Sequence, residues 1–575
     1  MHANPNAFLT VTVDENNNIT QVLKDVFGNT IQRATLKDAS NLVVSSSTYD
    51  ILGNLLVESP PTDHVPNHLL PTNYSYNTLG QLETKTIADY IGPNNDQVTE
   101  TYTYDNAGRL TDSRRTAFGF VYKEVTTDYD DLGRIKDQSK VAEQFAGTPS
   151  AAGPALSYYY DGIPSNPSYV ATFQGLMNQT SLTSDEANAV ISDLTSDGNA
   201  RGKLTAAVAV NVVERPIPGG SQIENDYVID FYTYDDEGRL RAHYKVIPSL
   251  PLQKFAYFYD LMGRTAAVTL GSNDHAKTWY YTYDDDGRLS GIIDDDPAVG
   301  TVVTYEYNDL GLLWRKHFLK ENSGNVAASY IVQNTYNVRN WLIAIDGGDG
   351  NRLPLLANSY AEDIAYTSAP TSLSGVTVVP QYNGNISAAA HFYGTAKPVL
   401  LQYQYDPLNR LTGTTPSDGT DGSGSLINSQ GASQISQYTE SFGYNDDGRF
   451  QTKSVPKSGP DKTYSYYPNS SRLRTTVQNG PSIYFYDYDG NLVYDASKKM
   501  VVTYDWRNLP VKFSFYATPL SLSDLSTASG NTSATNGTIT HEQLLQVCAN
   551  LTSVSEVVML YDADGNRVSK IQVSS

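Results

Sequence analysis

The chain contains 575 residues, 43 of them tyrosine, and its 62 acidic and 40 basic residues give a net charge of −22. This charge disfavours nucleic acid and anionic lipid as partners, because both repel an acidic surface. The single cysteine, Cys548, excludes an intramolecular disulfide framework. No run of 18 apolar residues occurs, so we predict no membrane span. The length exceeds that of one ordinary domain and predicts several domains or one repeat array.

A nine-residue stretch recurs along the chain. It reads YTYDNAGRL from Tyr102, YTYDDEGRL from Tyr232 and YTYDDDGRL from Tyr281. The pattern is Tyr-x-Tyr-Asp-x-x-Gly-Arg-Leu, and within its two clearest runs the copies are about 24 to 28 residues apart. Glycine marks the copies at Gly53, Gly80, Gly108, Gly133, Gly238, Gly263, Gly287, Gly311, Gly448, Gly490 and Gly565, asparagine replaces it at Asn340, Asn409 and Asn508, and weaker echoes lie at Gly28, Gly202 and Ser471.

Each position of this pattern has a physical reason in a β-hairpin. The aspartate suits the first position of a type I turn, and the glycine three residues later supplies the left-handed residue of a hairpin with a G1 bulge. Asparagine is the next residue able to adopt that conformation, which explains the three replacements. The predicted turn residues, beyond the glycines and asparagines already named, are Asp105, Arg109, Asp130, Arg134, Asp235, Arg239, Asp260, Arg264, Asp284 and Arg288.

The tyrosines of the pattern lie two residues apart, so both rings point to the same face of a strand. The three clearest pairs are Tyr102 with Tyr104, Tyr232 with Tyr234, and Tyr281 with Tyr283. A row of tyrosines normally stabilises a sheet through cross-strand contacts. Exposed rings would also stack on sugars, so carbohydrate is a second possible partner for this face.

The first half of the chain divides into two segments. Residues 1–40 form a degenerate start of the array, and residues 41–341 form the first run of hairpins. Within that run, Thr183 and Glu186 form a capping-box pattern that predicts a short helical insertion near residues 183–196.

The second half begins with a divergent segment at residues 342–400, and the hairpins resume at residues 401–575. A Gly/Ser-rich stretch predicts a loop insertion at residues 412–436. Thr540 and Gln543 suit a second capping box and predict a short helix inside an insertion at residues 517–556. Both chain ends read as strands, so we expect the chain to be a piece of a longer protein.

The repeated Tyr-Asp-x-x-Gly-Arg-Leu pattern resembles the YD repeats of RHS-repeat proteins, a family shared by toxin-complex C subunits and teneurins. The stretch LYDADGNRVSK from Leu560 is similar to the one that precedes the RHS-associated core in bacterial members. The resemblance implies an all-β fold in which a long array of antiparallel hairpins spirals into a hollow shell, with a few short helices in insertions. In the family, such a shell often surrounds a C-terminal toxin.

The acidic turns DDDG and DADGN have an alternative interpretation as calcium loops. An EF-hand loop needs a ladder of ligands and a glutamate at its twelfth position. No glutamate follows Asp562 at that distance, and the loop from Asp284 contains Arg288 and reaches Asp295 instead. The spacing therefore favours structural turns, and we predict no metal-binding residue and no cofactor.

No constellation of catalytic residues emerges from the sequence. His64 and His68 have helical metal-ligand spacing, but the prolines around them forbid that helix. Cys548 is expected to be a small buried apolar residue within a helix. The pairs Asp296–Pro297 and Asp406–Pro407 do not continue into the self-cleavage pattern of toxin-bearing relatives. We therefore predict a protein that is not an enzyme, while an enzymatic insertion is the least favoured alternative.

The sequence and its resemblance together predict a non-enzymatic shell or scaffold segment. It would enclose, carry or display a polypeptide such as a toxin or effector, supplied in cis or in trans, or join the remaining portion of a larger RHS protein. We expect a bacterial protein that is secreted or located at the cell surface. A surface adhesin that binds glycans through exposed tyrosines is the alternative.

Overall fold

The computed structural model describes residues 7–38, 41–62, 71–90, 97–117, 119–141, 154–217, 220–271, 276–322, 325–348, 360–368, 378–393, 399–418, 438–456, 459–468, 470–477, 483–521, 524–525, 537–539, 541–548, 551 and 553–574. Almost every regular element is a β-strand. Helices of four residues or more within these ranges are α1 (Gly162–Ser165), α2 (Tyr169–Met177), α3 (Ser184–Ser196) and α4 (His541–Cys548). None of them has the length and apolar character needed to cross a membrane.

The strands follow one another with short connections. The first group is β1 (Phe8–Val13), β2 (Ile19–Lys24), β3 (Thr30–Leu36), β4 (Leu42–Tyr49), β5 (Leu55–Thr62), β6 (Thr72–Tyr76), β7 (Leu82–Tyr90), β8 (Gln97–Tyr104), β9 (Leu110–Ala117), β10 (Phe120–Tyr129), β11 (Ile135–Val141) and β12 (Pro154–Tyr160). After the three helices α1 to α3 come β13 (Leu204–Ile217), β14 (Gly220–Tyr234), β15 (Leu240–Val246), β16 (Gln253–Tyr259), β17 (Thr265–Leu270), β18 (Lys277–Tyr283), β19 (Leu289–Asp294), β20 (Thr301–Tyr307), β21 (Leu313–Asn322), β22 (Asn325–Tyr336) and β23 (Leu342–Gly348).

The remaining strands complete one large sheet and form two smaller ones. The large sheet ends with β24 (Tyr360–Ala365), β25 (Ala388–Tyr393), β26 (Val399–Tyr405), β27 (Leu411–Asp418), β28 (Glu440–Tyr444), β29 (Phe450–Ser454) and β30 (Lys462–Thr463). The smaller sheets contain β31 (Ser465–Tyr466) and β32 (Leu473–Thr475), and then β33 (Tyr484–Tyr486), β34 (Leu492–Asp495), β35 (Met500–Tyr504), β36 (Pro510–Tyr516), β37 (Ser553–Tyr561) and β38 (Arg567–Ser574).

The large sheet is a continuous antiparallel meander of 30 strands. Each strand pairs with the next one in sequence, from β1 with β2 through to β29 with β30. In the pattern-bearing hairpins the register shifts just before the turn, for example between Thr103 and Tyr104 and between Thr282 and Tyr283. This shift is the bulge expected of a type I turn closed by a left-handed residue. The pattern turns of this sheet therefore lie along one edge of the meander.

The predicted helical insertion contains α3, which begins after Thr183. The Thr183 side chain accepts a hydrogen bond from the backbone N–H of Glu186, and the Glu186 carboxylate accepts one from the backbone N–H of Thr183. This reciprocal capping satisfies donors that the first helical turn leaves free. Residues Val190, Ile191 and Leu194 of α3 are buried together with α2 against Ile229 and Phe231 of β14 and Tyr244 of β15.

The C-terminal part of the chain packs against the N-terminal part. We call residues 7–348 the N-terminal array and residues 399–574 the C-terminal array. Hydrogen bonds and ion pairs join the two arrays, and the paired residues are separated by 317 to 409 positions in the sequence. They include Asn18 with Asn409, Lys37 with Asp446, Arg115 with Asp489, and Lys245 with Asp562. The succession of hairpins therefore returns over the beginning of the chain after about 370 residues.

The structure adds detail to three segments of the sequence-based division. Strand β27 extends through Asp418, inside the loop predicted at 412–436, because Leu411–Asp418 pairs with β26; residues 419–436 lie outside the described residues. The divergent segment 342–400 still contributes β23, β24 and β25 to the large sheet. Helix α4 lies within the insertion predicted at 517–556, although Thr540 lies outside the described residues.

Candidate functional site: hairpin tips and the seam

The repeated turn has the same backbone geometry throughout the chain. In the hairpin of β8 and β9, the N–H of Gly108 donates to the Asp105 carbonyl, and the N–H of Asp105 donates to the Arg109 carbonyl, both at 2.9 Å. The left-handed position has φ between 60° and 90° at Gly53, Gly80, Gly108, Gly133, Gly238, Gly263, Gly287, Gly311, Asn340, Asn409, Gly448, Gly490, Asn508 and Gly565.

The carboxylate of the turn aspartate accepts hydrogen bonds from other residues of the same turn. One carboxylate oxygen of Asp105 accepts from the backbone N–H groups of Ala107 and Arg109 at 2.9 Å, and the other accepts from Arg109 Nε at 2.7 Å. The N–H and guanidinium of Arg109 hold the pKa of Asp105 below its usual range. The same aspartate–arginine contact occurs at Asp130 with Arg134, Asp235 with Arg239, Asp260 with Arg264, and Asp284 with Arg288.

Arginine and tyrosine then link successive hairpins. The guanidinium of Arg109 lies 4.7 Å from the ring centroid of Tyr129, and the Tyr129 hydroxyl donates to the Leu110 carbonyl at 2.8 Å. The stacking repeats with Arg134 on Tyr160, Arg239 on Tyr259, Arg264 on Tyr283, Arg288 on Tyr307, Arg410 on Tyr444 and Arg449 on Tyr466. Each of these arginine-bearing motifs is thus linked to its neighbour by a cation–π contact and a hydroxyl hydrogen bond.

The second tyrosine of each of the three clearest pairs donates its hydroxyl to a carbonyl of the preceding hairpin. The hydroxyl of Tyr104 donates to the Leu82 carbonyl, that of Tyr234 to the Leu204 carbonyl, and that of Tyr283 to the Thr265 carbonyl, at 2.6 to 2.8 Å. Burial raises the pKa of Tyr234 to about 12. These rings are half-buried, so part of each ring is covered by the surface of the sheet.

The first tyrosine of each pair has a more varied environment. Tyr102 donates its hydroxyl to Glu100 at 2.6 Å, and Tyr232 stacks on His243 with ring centroids 4.9 Å apart. Tyr281 is half-buried on β18. Carbohydrate binding by this row therefore stays a prediction.

The seam between the two arrays contains a cluster of charges around Asp489. This residue sits at the tip of the β33–β34 hairpin and is largely buried. Its carboxylate accepts from Arg115 at 2.7 Å, from the Tyr122 hydroxyl at 2.9 Å and from Lys123 at 2.9 Å. Burial raises the pKa of Asp489, but Lys123 and Arg115 outweigh it and bring the pKa below its usual range. Lys123 also donates to the Asn508 side chain at 3.0 Å.

A second cluster joins the β37–β38 hairpin to β13, β14 and β15. Lys245 donates to Asp562 at 2.8 Å and forms an ion pair with Asp230 at 2.9 Å. His243 lies 2.5 Å from the same Asp230 carboxylate, between the rings of Tyr232 and Phe255. Next to these charges, Val558, Leu560 and Ala563 pack on Ala207, Ala209, Val213 and Val228 of the N-terminal array. The seam therefore combines apolar burial with paired charges.

The alternative sites considered from the sequence have these outcomes. Asp284 and Asp562 direct their carboxylates to protein donors, including Arg288 and Lys245. Within the described ranges, no group of three acidic, histidine or cysteine side chains is arranged to hold a metal ion. His64 and His68 lie outside the described residues. Cys548 is buried in an apolar cluster with Phe485, Val501 and Leu544, as predicted.

The sequence-based reasoning missed the seam. Asp489 occupies a turn position that tolerates many residue types, so its local pattern carries no sign of Arg115 or Lys123. Tyr488 and Trp506 at two hairpin tips pack against the N-terminal array. An aromatic tip does not by itself predict such a contact, because Phe27 at another tip is 74% exposed.

No family model matches the chain, and no curated protein matches its sequence. In structure, the chain is similar to the crystal structure of TcdB2-TccC3-TEV, with a TM-score of 0.52 and 13% identity over 98% of this chain and 24% of that one. It is also similar to the Photorhabdus luminescens Tc holotoxin pore with a mutation in TccC3, with a TM-score of 0.54 and 12% identity over 97% of this chain and 23% of that one.

The chain thus spans about a quarter of the length of the solved structures that it matches. At 12% to 13% identity the likeness concerns the fold. The predicted fold class, a long antiparallel hairpin array with a few short helices, is confirmed, and this array is similar in fold to part of the two solved structures.

Proposed function

We propose that this chain is a non-enzymatic segment of an RHS/YD-repeat shell that encloses, carries or displays a polypeptide. The observation that carries the proposal is the seam, where the hairpin tips of the C-terminal array are buried against the N-terminal array. Hairpins of the large sheet and of the six-stranded sheet return over the beginning of the chain, so that two successive rows of hairpins stand edge to edge as one wall. Its similarity in fold to Tc toxin components supports a toxin or effector as the associated polypeptide.

The chemistry of the repeats supports a structural role. The aspartates and arginines that dominate the pattern bind one another and the turn backbone, and the second tyrosines bind carbonyls of the preceding hairpin. Groups held in this way stiffen a wall, whereas a general acid or base must be free to exchange a proton with a substrate. We propose on this basis that the wall itself has no catalytic activity.

The associated polypeptide would come from the same longer protein or from a separate chain. The acidic surface, with a net charge of −22, suits a basic or partly unfolded cargo. A secreted or cell-surface location in bacteria belongs to the same proposal.

Limited proteolysis of the native complex tests this function. The complex would be isolated from the source organism and digested under native conditions, and surviving peptides would be identified by mass spectrometry. We expect a polypeptide other than the repeats to survive digestion until the shell is unfolded with urea. Its immediate degradation in the intact complex, or the absence of any associated polypeptide, would refute the shell function.

A further inference from the structure

The seam brings together a lysine amine, an asparagine amide and a buried carboxylate. Lys123 on β10 donates from Nζ to the side-chain oxygen of Asn508 at 3.0 Å and to Oδ2 of Asp489 at 2.9 Å. The side chains of Lys123 and Asp489 are only 12% and 9% exposed. Because the amine and the amide are 385 positions apart in sequence, only the packing of the two arrays brings them into contact. Such contact favours the transfer of an acyl group to the amine when a neighbouring group moves the protons.

The two carboxylate oxygens of Asp489 have different partners. Oδ1 accepts from Arg115 at 2.7 Å and from the Tyr122 hydroxyl at 2.9 Å, whereas Oδ2 accepts from Lys123. Arg115 also forms an ion pair with Glu100, which offsets part of the positive charge beside Oδ1. Oδ2 is therefore the oxygen placed to accept a proton from the Lys123 ammonium. Loss of that proton is the step that turns a lysine into a nucleophile.

The Asn508 amide is held by a second donor. The side-chain amide of Asn491 donates to Asn508 Oδ1 at 3.2 Å, and Asn491 is itself oriented by a hydrogen bond to Asp487 at 2.9 Å. The backbone of Asn508 is fixed at φ 65° by its turn, so its side chain starts from a defined position. A donor aimed at a carbonyl oxygen stabilises the negative charge that develops there when an amine attacks the carbon.

An apolar cluster excludes water from one side of this group. Tyr122 is 4% exposed and packs with Val98 and Ala117, and the ring of Tyr488 lies 5.3 Å from the ring of Tyr122. Two ions are costly to bury, and a neutral amine beside a neutral carboxylic acid is less costly. Burial therefore favours the proton transfer from the lysine ammonium to the carboxylate.

We propose that Lys123 and Asn508 form an intramolecular isopeptide bond and that Asp489 is the acid–base group of this reaction. Oδ2 of Asp489 takes a proton from the Lys123 ammonium, and the nitrogen lone pair attacks Cγ of Asn508. The Cγ–Nδ2 bond breaks, and the leaving nitrogen takes the proton from Asp489 and departs as ammonia. The new amide nitrogen gives its surplus proton to Asp489, and the ammonia carries that proton away as ammonium.

The reaction happens once in each chain and converts no external substrate, so it is independent of the proposed shell function. Its product joins the two arrays covalently. Two comparable groups of the seam lack one member of the set and provide internal controls. Lys245 lies between the carboxylates of Asp230 and Asp562. Asn409, at the turn position equivalent to Asn508, accepts hydrogen bonds from the side-chain amides of three other asparagines.

Mass spectrometry of the purified full chain tests the proposal. The intact chain should be lighter than its sequence predicts by the mass of one ammonia. Tryptic digestion should leave Lys123 uncleaved and should release a branched peptide that joins Lys123 to Asn508. The peptides that contain Lys245 and Asn409 should be linear. Asn508→Ala and Lys123→Arg should each have the mass that their sequence predicts, because each removes one reacting group.

Variants of the neighbouring groups test their roles. Asp489→Asn should abolish the bond and Asp489→Glu should restore it in part, with circular dichroism confirming that both variants fold. Asn491→Ala should slow formation of the bond about tenfold or more, followed by intact mass at intervals after synthesis.

The decisive result comes from the unaltered chain, so a variant that fails to fold cannot obscure it. A full calculated mass together with cleavage after Lys123 would overturn the proposal. Loss of the mass of one water, with Lys123 joined to Asp489, would overturn it as well. Persistence of the bond in Asp489→Asn would refute the role of Asp489.

Discussion

Asn211 and Tyr561 form two reciprocal hydrogen bonds across 350 residues of sequence. The Asn211 amide donates to the Tyr561 carbonyl at 2.9 Å, and the Tyr561 backbone N–H donates to the Asn211 side-chain oxygen at 3.0 Å. Both bonds are buried, and Asn211 is 5% exposed. The side chain thereby acts as a piece of strand backbone that pairs β13 with the end of β37.

Replacing Asn211 tests how much this pair contributes to the seam. Asn211→Ala would leave the buried N–H and carbonyl of Tyr561 without these partners, and we expect a loss of about 2–4 kcal/mol in the free energy of unfolding. Urea denaturation followed by circular dichroism measures the change. Asn106→Ala, at the exposed tip of the β8–β9 hairpin, is the control and should change stability by less than about 0.5 kcal/mol. Equal effects of the two substitutions would show that the reciprocal pair does not hold the arrays together.

The acidity of Asp487 predicts a pH dependence of the seam. Burial, reinforced by the charge of Asp489, raises the pKa of Asp487 to about 6, and hydrogen bonds from Asn491 oppose this only in part. Above pH 6 the folded protein carries the charge of the Asp487 carboxylate in a buried site. In the unfolded chain, where its pKa is near 3.8, the same charge is exposed to water. Stability should therefore rise as the pH falls from 7 to 5, by about 1 kcal/mol from this group.

Asp487→Asn isolates that contribution. The variant should lose the corresponding part of the pH dependence of its thermal unfolding midpoint, measured between pH 5 and 7. Asp489 has a lowered pKa, so its stabilising charge is lost only as the pH falls below about 4, outside this window. An unchanged pH profile in the variant would contradict the assignment.

Substitutions at two left-handed turn positions should have different effects on stability. Gly53 has φ of 87°, and no neighbouring atom lies within 4 Å of where a Cβ would stand. Gly53→Ala should therefore cost about 1–2 kcal/mol from backbone conformation alone. Asn340 adopts φ of 61° at the same turn position, and Asn340→Gly should leave stability unchanged or raise it slightly. Thermal unfolding of both variants measures the difference, and a harmless Gly53→Ala would contradict the turn geometry.

The two tyrosines of one motif should differ when their hydroxyls are removed. Tyr283→Phe deletes the hydrogen bond to the Thr265 carbonyl and should cost about 1 kcal/mol. Tyr281→Phe is the matched control, since no hydrogen bond of its hydroxyl occurs among the residues that the structure describes, and it should have a smaller effect. A glycan array with Tyr281→Ala, which removes the ring that would stack on a sugar, examines the adhesin alternative. Glycan binding by the unaltered chain that is lost in this variant would support that alternative.

Much of the fold follows from local chemistry. The need for a left-handed residue three positions after the aspartate identifies the hairpins, including those where asparagine replaces glycine. The first hairpin is less visible, because its turn uses Asn17 at φ 64° and its strand β1 has valines where tyrosines stand elsewhere. The capping box at Thr183 and Glu186 likewise locates α3.

What escaped prediction depends on distant contacts. Helices α1 and α2 are short and contain Pro164 and Gly175, so packing against β14 rather than helix propensity holds them in place. Strand β27 continues through Gly413 and Pro416 because pairing with β26 overrides composition. The seam joins residues more than 300 positions apart, and no local pattern encodes such a contact.

Zero-length carbodiimide crosslinking tests most directly whether the C-terminal array packs on the N-terminal array. The reagent joins lysine to carboxylate only when the two are in contact. We predict crosslinks of Lys245 with Asp562 in the unaltered chain, and of Lys123 with Asp489 in Asn508→Ala, where Lys123 keeps its amine. The paired atoms lie 2.8 and 2.9 Å apart, and mass spectrometry after digestion identifies the crosslinks. Crosslinks that appear within neighbouring hairpins, such as Lys512 with Glu556, but never between the arrays would contradict the packing of the C-terminal array on the N-terminal array.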